Sequence, residues 1–168
     1  MIFAIDPGPK ASAYVRWNGV RVIESGWQEN AIVRELVRTH SVNHDVAIEN
    51  IACYGMAVGA EVFATCVEIG RFVEIATRGG VDPMLVFRKD IKLHLCGSLK
   101  AKDPNIRQAL IDRFGAVGTK KNPGPLWGVK SHIWAALAVA VMVGDTEHGA
   151  EQECDPVRDG WVGSNGLP

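Results

Sequence analysis

The first eight residues, MIFAIDPG, constrain the fold of this chain more than any other stretch. An apolar run that ends in a single carboxylate at a Pro-Gly turn reads as a buried central strand carrying Asp6 out to its rim. Taken alone, Asp-Pro-Gly is also a common turn tripeptide, in which the carboxylate serves only the backbone. A metal-binding role for Asp6 therefore requires other ligands to arrive at the same point.

The 168 residues, 47% of them hydrophobic, suit one compact domain with a full core. No stretch approaches the ~18 apolar residues of a membrane span. The N-terminus lacks the basic region, apolar core and cleavage site of a secretion signal, so a cytoplasmic protein is expected. Cys53, Cys66, Cys96 and Cys154 form no CxxC pair. They read as reduced thiols rather than a zinc knuckle or disulfide framework.

The net charge of -1 conceals a strong asymmetry. Residues 88–130 hold ten Lys and Arg against three Asp, a net of +7, which is a local polyanion-binding signal even though most charge runs are solvated faces. Residues 145–159 hold six acids against Arg158, a net of -5. The expected division is a domain over 1–144 and an acidic, mobile tail over 145–168.

Along the chain, Ala11 to Trp17 and Val20 to Trp27 are strand-like runs flanking Asn18-Gly19, the pair that a type I′ hairpin turn favours. The first three strands thus form an antiparallel meander. Ile32, Val33, Leu36 and Val37 recur at helical spacing between Glu29 and His40, giving a crossover helix. Asp45 to Glu49, DVAIE, is a short strand most simply parallel to the first, which puts Glu49 at the same sheet edge as Asp6. Two carboxylates so placed repel unless one is protonated or a cation lies between them, which favours a hard divalent metal; a salt bridge to a nearby Lys is the plain alternative.

Glu61 to Arg78 reads as a long helix with a polar stripe of Glu61, Thr65, Glu68, Arg71, Glu74 and Arg78. The remaining surface is wider and more apolar than one sheet face requires, which points to a two-fold dimer interface or to cover by a neighbouring helix. Met84 to Phe87 supplies a fifth strand. A short helix then covers Arg88 to Leu95, and another starts at Asp103-Pro104 with Asp as N-cap. A Gly/Pro-rich loop over 118–128 leads to the last helix, SHIWAALAVAVMV, with His132 near its beginning.

Together IDPG, IEN, the basic segment and the final HxxxALAVAV helix resemble the RuvC family of Holliday-junction resolvases, within the RNase H-like superfamily and especially its phage-encoded branch. The resemblance covers residues 1–144 in order and spacing. ENIACYGMAVG, DIKLHLCGSLKAKDPNIRQALIDRFG and GVKSHIWAALAVAV carry it. It implies an α/β, RNase H-like fold with a five-stranded mixed sheet, three antiparallel strands then two parallel, flanked by helices. It also implies a crossover junction endodeoxyribonuclease that works as a homodimer on four-way or other branched DNA with Mg²⁺ or Mn²⁺, in the host cytoplasm if phage-encoded, with no nucleotide cofactor. Asp6 and Glu49 match the family's first two acids, and His132 falls where it carries an acid or a histidine, so these three are the expected metal ligands. Lys92 is expected to act on the scissile phosphate. Lys89, Lys92, Lys100, Lys102 and Arg107 are expected to face DNA, with Tyr54 and Met56 stacking on or wedging between opened bases.

One departure stands out. The family places an Asp three residues after the position of His132, and this chain has Ala135. That puts a second metal in doubt, with Asp90 as a substitute that no spacing supports. A junction-binding protein with a weakened or inactive metal site is the principal alternative. A sugar-kinase-like ATPase, the alternative from another class, needs two lobes, and the chain carries no P-loop or GxGxxG.

Overall fold

The computed structural model describes residues 1–53, 55 and 57–153. Tyr54, Met56 and the tail beyond residue 153 lie outside the described residues. Five strands, β1 (Ile2–Asp6), β2 (Ala11–Trp17), β3 (Val22–Glu29), β4 (Asp45–Asn50) and β5 (Met84–Phe87), form one sheet in the order β3-β2-β1-β4-β5. β1–β2 and β2–β3 are antiparallel, while β4 runs parallel to β1 and β5 parallel to β4. Five helices accompany the sheet: α1 (Asn30–His40), α2 (Ala60–Arg78), α3 (Arg88–Cys96), α4 (Asp103–Phe114) and α5 (Ile133–Glu153). This is the mixed, RNase H-like architecture expected from the sequence.

The alternation of a strand divides β1 between two cores. Ile2 and Ala4 join Ala13, Val15, Trp17, Ala47 and Val86 under α5. Phe3 and Ile5 join Tyr14, Val46 and Ile48 under α1 and α2. Because β1 is buried on both faces, its sequence is continuously apolar until Asp6. The small residues Ala136, Ala138 and Ala140 are wholly buried and let α5 lie close on the sheet. No helix among the described residues is long and apolar enough to cross a membrane.

Several local expectations are corrected. The β2–β3 connection is the four-residue stretch 18–21 rather than a two-residue type I′ turn, since Trp17 pairs with Val22. Asn18 does not adopt positive φ; its side-chain oxygen accepts hydrogen bonds from the N–H groups of Val20 (3.0 Å) and Arg21 (2.8 Å) and opens the turn. Lys102, not Asp103, is the N-cap of α4, and Asn105 Oδ1 accepts the Lys102 N–H at 2.9 Å.

On α2, two members of the expected polar stripe, Thr65 and Glu68, are buried, with Arg34 of α1 donating to Glu68 at 2.7 Å. Phe63 and Val67 face out instead, 60% and 54% exposed. Helical periodicity identifies the stripe but not its direction, and the Arg34–Glu68 pair decides it. Finally, α5 continues to Glu153, so Asp145 is a helical residue. Arg113 of α4 grips its carboxylate through two 2.6 Å hydrogen bonds, and His94 Nε2 of α3 lies 2.6 Å away. Although burial opposes ionisation, these partners hold the Asp145 carboxyl below its usual range.

Candidate active site

Asp6 is the last residue of β1, on the α5 side of the sheet by alternation with Ile2 and Ala4. The turn that follows it is locked from beneath. Ser12 Oγ donates to Asn30 Oδ1 at 2.7 Å and accepts the Gly8 N–H at 3.2 Å, and Asn30 Nδ2 donates to the Gly8 carbonyl at 2.9 Å. Only glycine fits at position 8, where a Cβ would lie 2.4 Å from the Ala11 carbonyl oxygen. The buried Ser12–Asn30 pair thereby joins β2 and α1 to the loop that carries Asp6.

Glu49 stands on the adjacent parallel strand, one residue beyond the Ile5–Ile48 pair and in register with Val86 of β5. It too alternates onto the α5 side, with Ala47. Parallel pairing therefore brings the two acids to one rim. Burial pushes the Asp6 carboxyl up to about 6, opposed by Arg88 and by His132, and assisted by Asp103. Burial likewise pushes Glu49 up to about 7, opposed by Arg88 and assisted by Asp6 and Asp103. Burial is the main cause at both sites, and the charge of Arg88 opposes it at each.

The principal neutralising group is Arg88, which sequence reading placed only within the basic run. Its guanidinium donates to Glu49 Oε2 at 3.3 Å and pairs on its other side with Asp103. The signal was available: Arg88 directly follows β5, a strand parallel to β4, so it emerges at the same rim as Glu49. Asp103, at the start of α4, was likewise read only as a helix cap. It is Asp103, and not the proposed substitute Asp90, whose charge reaches Asp6 and Glu49.

His132 arrives from the opposite side. Ser131 takes φ 46°, the one positive φ among described non-glycine residues, and turns the chain into α5. The imidazole of His132 stacks on Trp27 of β3, ring centroids 5.9 Å apart and planes 22° from parallel, while remaining within electrostatic reach of Asp6. Ala135 lies three residues further on, in the first turn of α5. It contributes no ligand atom.

Of the expected DNA contacts, Lys92 is half-buried on α3, and its charge is not among those acting on either carboxylate. Lys89 lies over the Phe87 ring at 5.7 Å, Lys100 and Lys102 are exposed around the α3–α4 connection, and Arg107 lies over Trp134 at 5.0 Å. The basic residues thus sit on α3, α4 and their connection, beside the acidic rim but not inside it.

The donor chemistry at the rim, two carboxylates and a nearby imidazole, fits a hard divalent cation. Among the described residues, however, no three His, Cys, Asp or Glu side chains gather tightly enough to close around an ion.

No protein-family model and no curated protein matches the chain. Solved structures do. The structure of Thermus thermophilus RuvC matches with a TM-score of 0.63 at 17% identity, over 89% of this chain and 96% of that one. T. thermophilus RuvC in complex with a Holliday junction substrate matches with a TM-score of 0.63 at 16% identity, over 89% and 95%. The fold is therefore that of RuvC.

Proposed function

We propose that this chain is a divalent-metal-dependent endonuclease that cuts four-way and other branched DNA. The observation that carries the reading is the pair of half-buried acids, Asp6 and Glu49, on adjacent parallel strands of a RuvC-like sheet. The RuvC neighbour complexed with a Holliday junction supports the substrate class. The finer assignment, to a phage-type crossover junction endodeoxyribonuclease, rests on the sequence resemblance alone.

In this reading Asp6 and Glu49 hold the cation, with His132 as the third ligand. The chemistry that bound Mg²⁺ or Mn²⁺ supplies is Lewis acidity, which eases deprotonation of water and offsets charge on the departing 3′ oxygen. Asp6, fixed by the locked turn, orients that centre. Arg88 compensates the largely buried charge of Glu49, and pairs with the exposed Asp103, before cation and substrate arrive, then faces the phosphate. Lys92 adds positive charge on the α3 side, where the phosphoryl group gains negative charge during attack. Lys89, Lys100, Lys102 and Arg107 hold the flanking backbone. The exposed Phe63 and Val67 on α2 supply an apolar face for a second copy, and two-fold pairing would place two such sites on one junction.

The test is cleavage of synthetic four-way, three-way and linear duplex DNA with Mg²⁺ and with Mn²⁺. Metal-dependent incision of branched forms supports the assignment, and its absence with both metals overturns it. A second reading, a branched-DNA-binding protein with a weakened metal site, is favoured by Ala135 and by the unclosed ligand set. Ala135→Asp separates the two. It is expected to raise metal-dependent cutting by about 10-fold or more, because a carboxylate in the first turn of α5 adds the missing charge. No rise in initial rate would show that the lineage does not use that position.

The basic segment has its own test. Replacing Lys92, Lys100 and Lys102 with Gln is expected to weaken junction binding and to flatten its salt dependence by about 0.9 log units per lost phosphate contact. An unchanged slope in binding titrations from low to moderate salt would place the DNA elsewhere.

A further inference from the structure

We propose that Trp27 is the platform on which an unpaired nucleobase of branched DNA stacks, beside the phosphate to be cut. The proposal rests on the nuclease reading and adds a substrate-recognition residue to it.

Trp27 is 57% exposed on β3, an edge strand, where it is followed by the exposed polar residues Gln28 and Glu29. Core packing does not explain an indole there. Its position is nevertheless fixed relative to the acids. Asp6 pairs with Ala13, and Ala13 pairs with Trp27, so the three form one cross-strand row on the α5 side of the sheet. Two strand spacings separate Asp6 from Trp27, roughly 10 Å, about the length of three stacked nucleotides.

His132 stacks on the indole, so the residue within electrostatic reach of Asp6 is also the residue that props Trp27. The ring stands between two clefts: one bordered by Lys10 with Glu61 opposite, the other by Lys130, Gln28 and His132. An exposed aromatic face flanked by lysines is the pattern by which single-stranded nucleic acid is held. The base contributes its π-face and the ammonium groups meet the backbone. Paired bases in a linear duplex present no free face to such a ring, whereas bases at a branch point do.

The test uses the full chain in the presence of EDTA, so that binding is read without cutting. Trp27→Ala is expected to weaken four-way-junction binding by about 5- to 100-fold while changing linear-duplex binding less than two-fold, and Trp27→Phe to retain most of the affinity. Since the ring is largely exposed, thermal melting should be nearly unchanged. In the wild-type chain, 5-iododeoxyuridine placed at the branch point is expected to photocrosslink to Trp27, as mapped by mass spectrometry. Junction affinity insensitive to both variants, an equal loss on duplex, or no crosslink at Trp27 overturns the proposal. So does a change in sedimentation mass with Trp27→Ala, which would make this face a contact between copies. A wild-type chain that does not prefer junction over duplex would instead remove the nuclease reading itself, and this proposal with it.

Discussion

Asp6→Asn is expected to reduce metal-dependent cutting of a four-way junction on the order of 10³-fold or more while leaving junction affinity in EDTA within about two-fold. The substitution keeps shape and removes charge. Asp6 ends a strand buried on both faces, and the Ser12–Asn30 lock beneath it does not involve its side chain, so the fold has no reason to fail. Stability should move the other way from activity. Burial raises the Asp6 carboxyl from 3.8 to about 6, so above that pH the folded chain carries an ionised group in surroundings that disfavour it. Removing it should stabilise the metal-free protein at pH 8, on the order of 1–3 kcal/mol. A functional site commonly trades stability for activity in this way. If the variant still cuts DNA, the nuclease assignment fails; if its melting temperature falls, Asp6 is a structural residue.

The metal-free protein is also expected to lose stability as pH rises from 5 to 8, and added Mn²⁺ or Mg²⁺ to restore more of it at pH 8 than at pH 5. Both acids have folded-state values raised above their ordinary ones, Asp6 to about 6 and Glu49 to about 7. Between the ordinary and the raised values the folded chain binds more protons than the unfolded chain, so stability falls with pH across that window. The penalty is absent well below the ordinary values of 3.8 and 4.5, where both states are protonated, and complete only well above the raised values of about 6 and 7. It amounts to a few kcal/mol for the pair, on the order of 1.4 kcal/mol per pH unit of displacement for each carboxylate. A cation that binds the folded chain reverses the sign locally, because it favours the ionised forms. Melting curves for the wild type and for Glu49→Gln, with EDTA and with Mn²⁺, isolate this contribution from other titrating groups. Equal metal-induced shifts at both pH values would argue against a cation at these acids.

Much of this arrangement was legible in the sequence because it is local or periodic. The apolar run closed by Asp6, the DVAIE strand and the helical spacing in α1 each carry their signal within a few residues. The parallel placement of β4 followed from the helix before it, and it was enough to bring Glu49 to Asp6. What escaped were choices made by tertiary partners. Arg88 and Asp103 are 15 residues apart and meet only because α3 folds back against α4. The inward turn of Thr65 and Glu68 depends on Arg34. The four-residue connection at Asn18 reflects an amide oxygen choosing two backbone donors over a tight turn. Trp27 was assigned only to a strand, and its meeting with His132 needed both the sheet register and the backbone turn at Ser131.

Asp145 has a consequence reaching beyond its own helix. Through Arg113 and His94, one carboxylate near the middle of α5 fastens both basic helices to the rod whose opposite end begins beside His132. Under the proposed function, the basic helices and the acidic rim would then travel as one piece, like the anvil and blade of a single tool. A nuclease built this way would place its incision at a set reach from the branch that the basic helices hold.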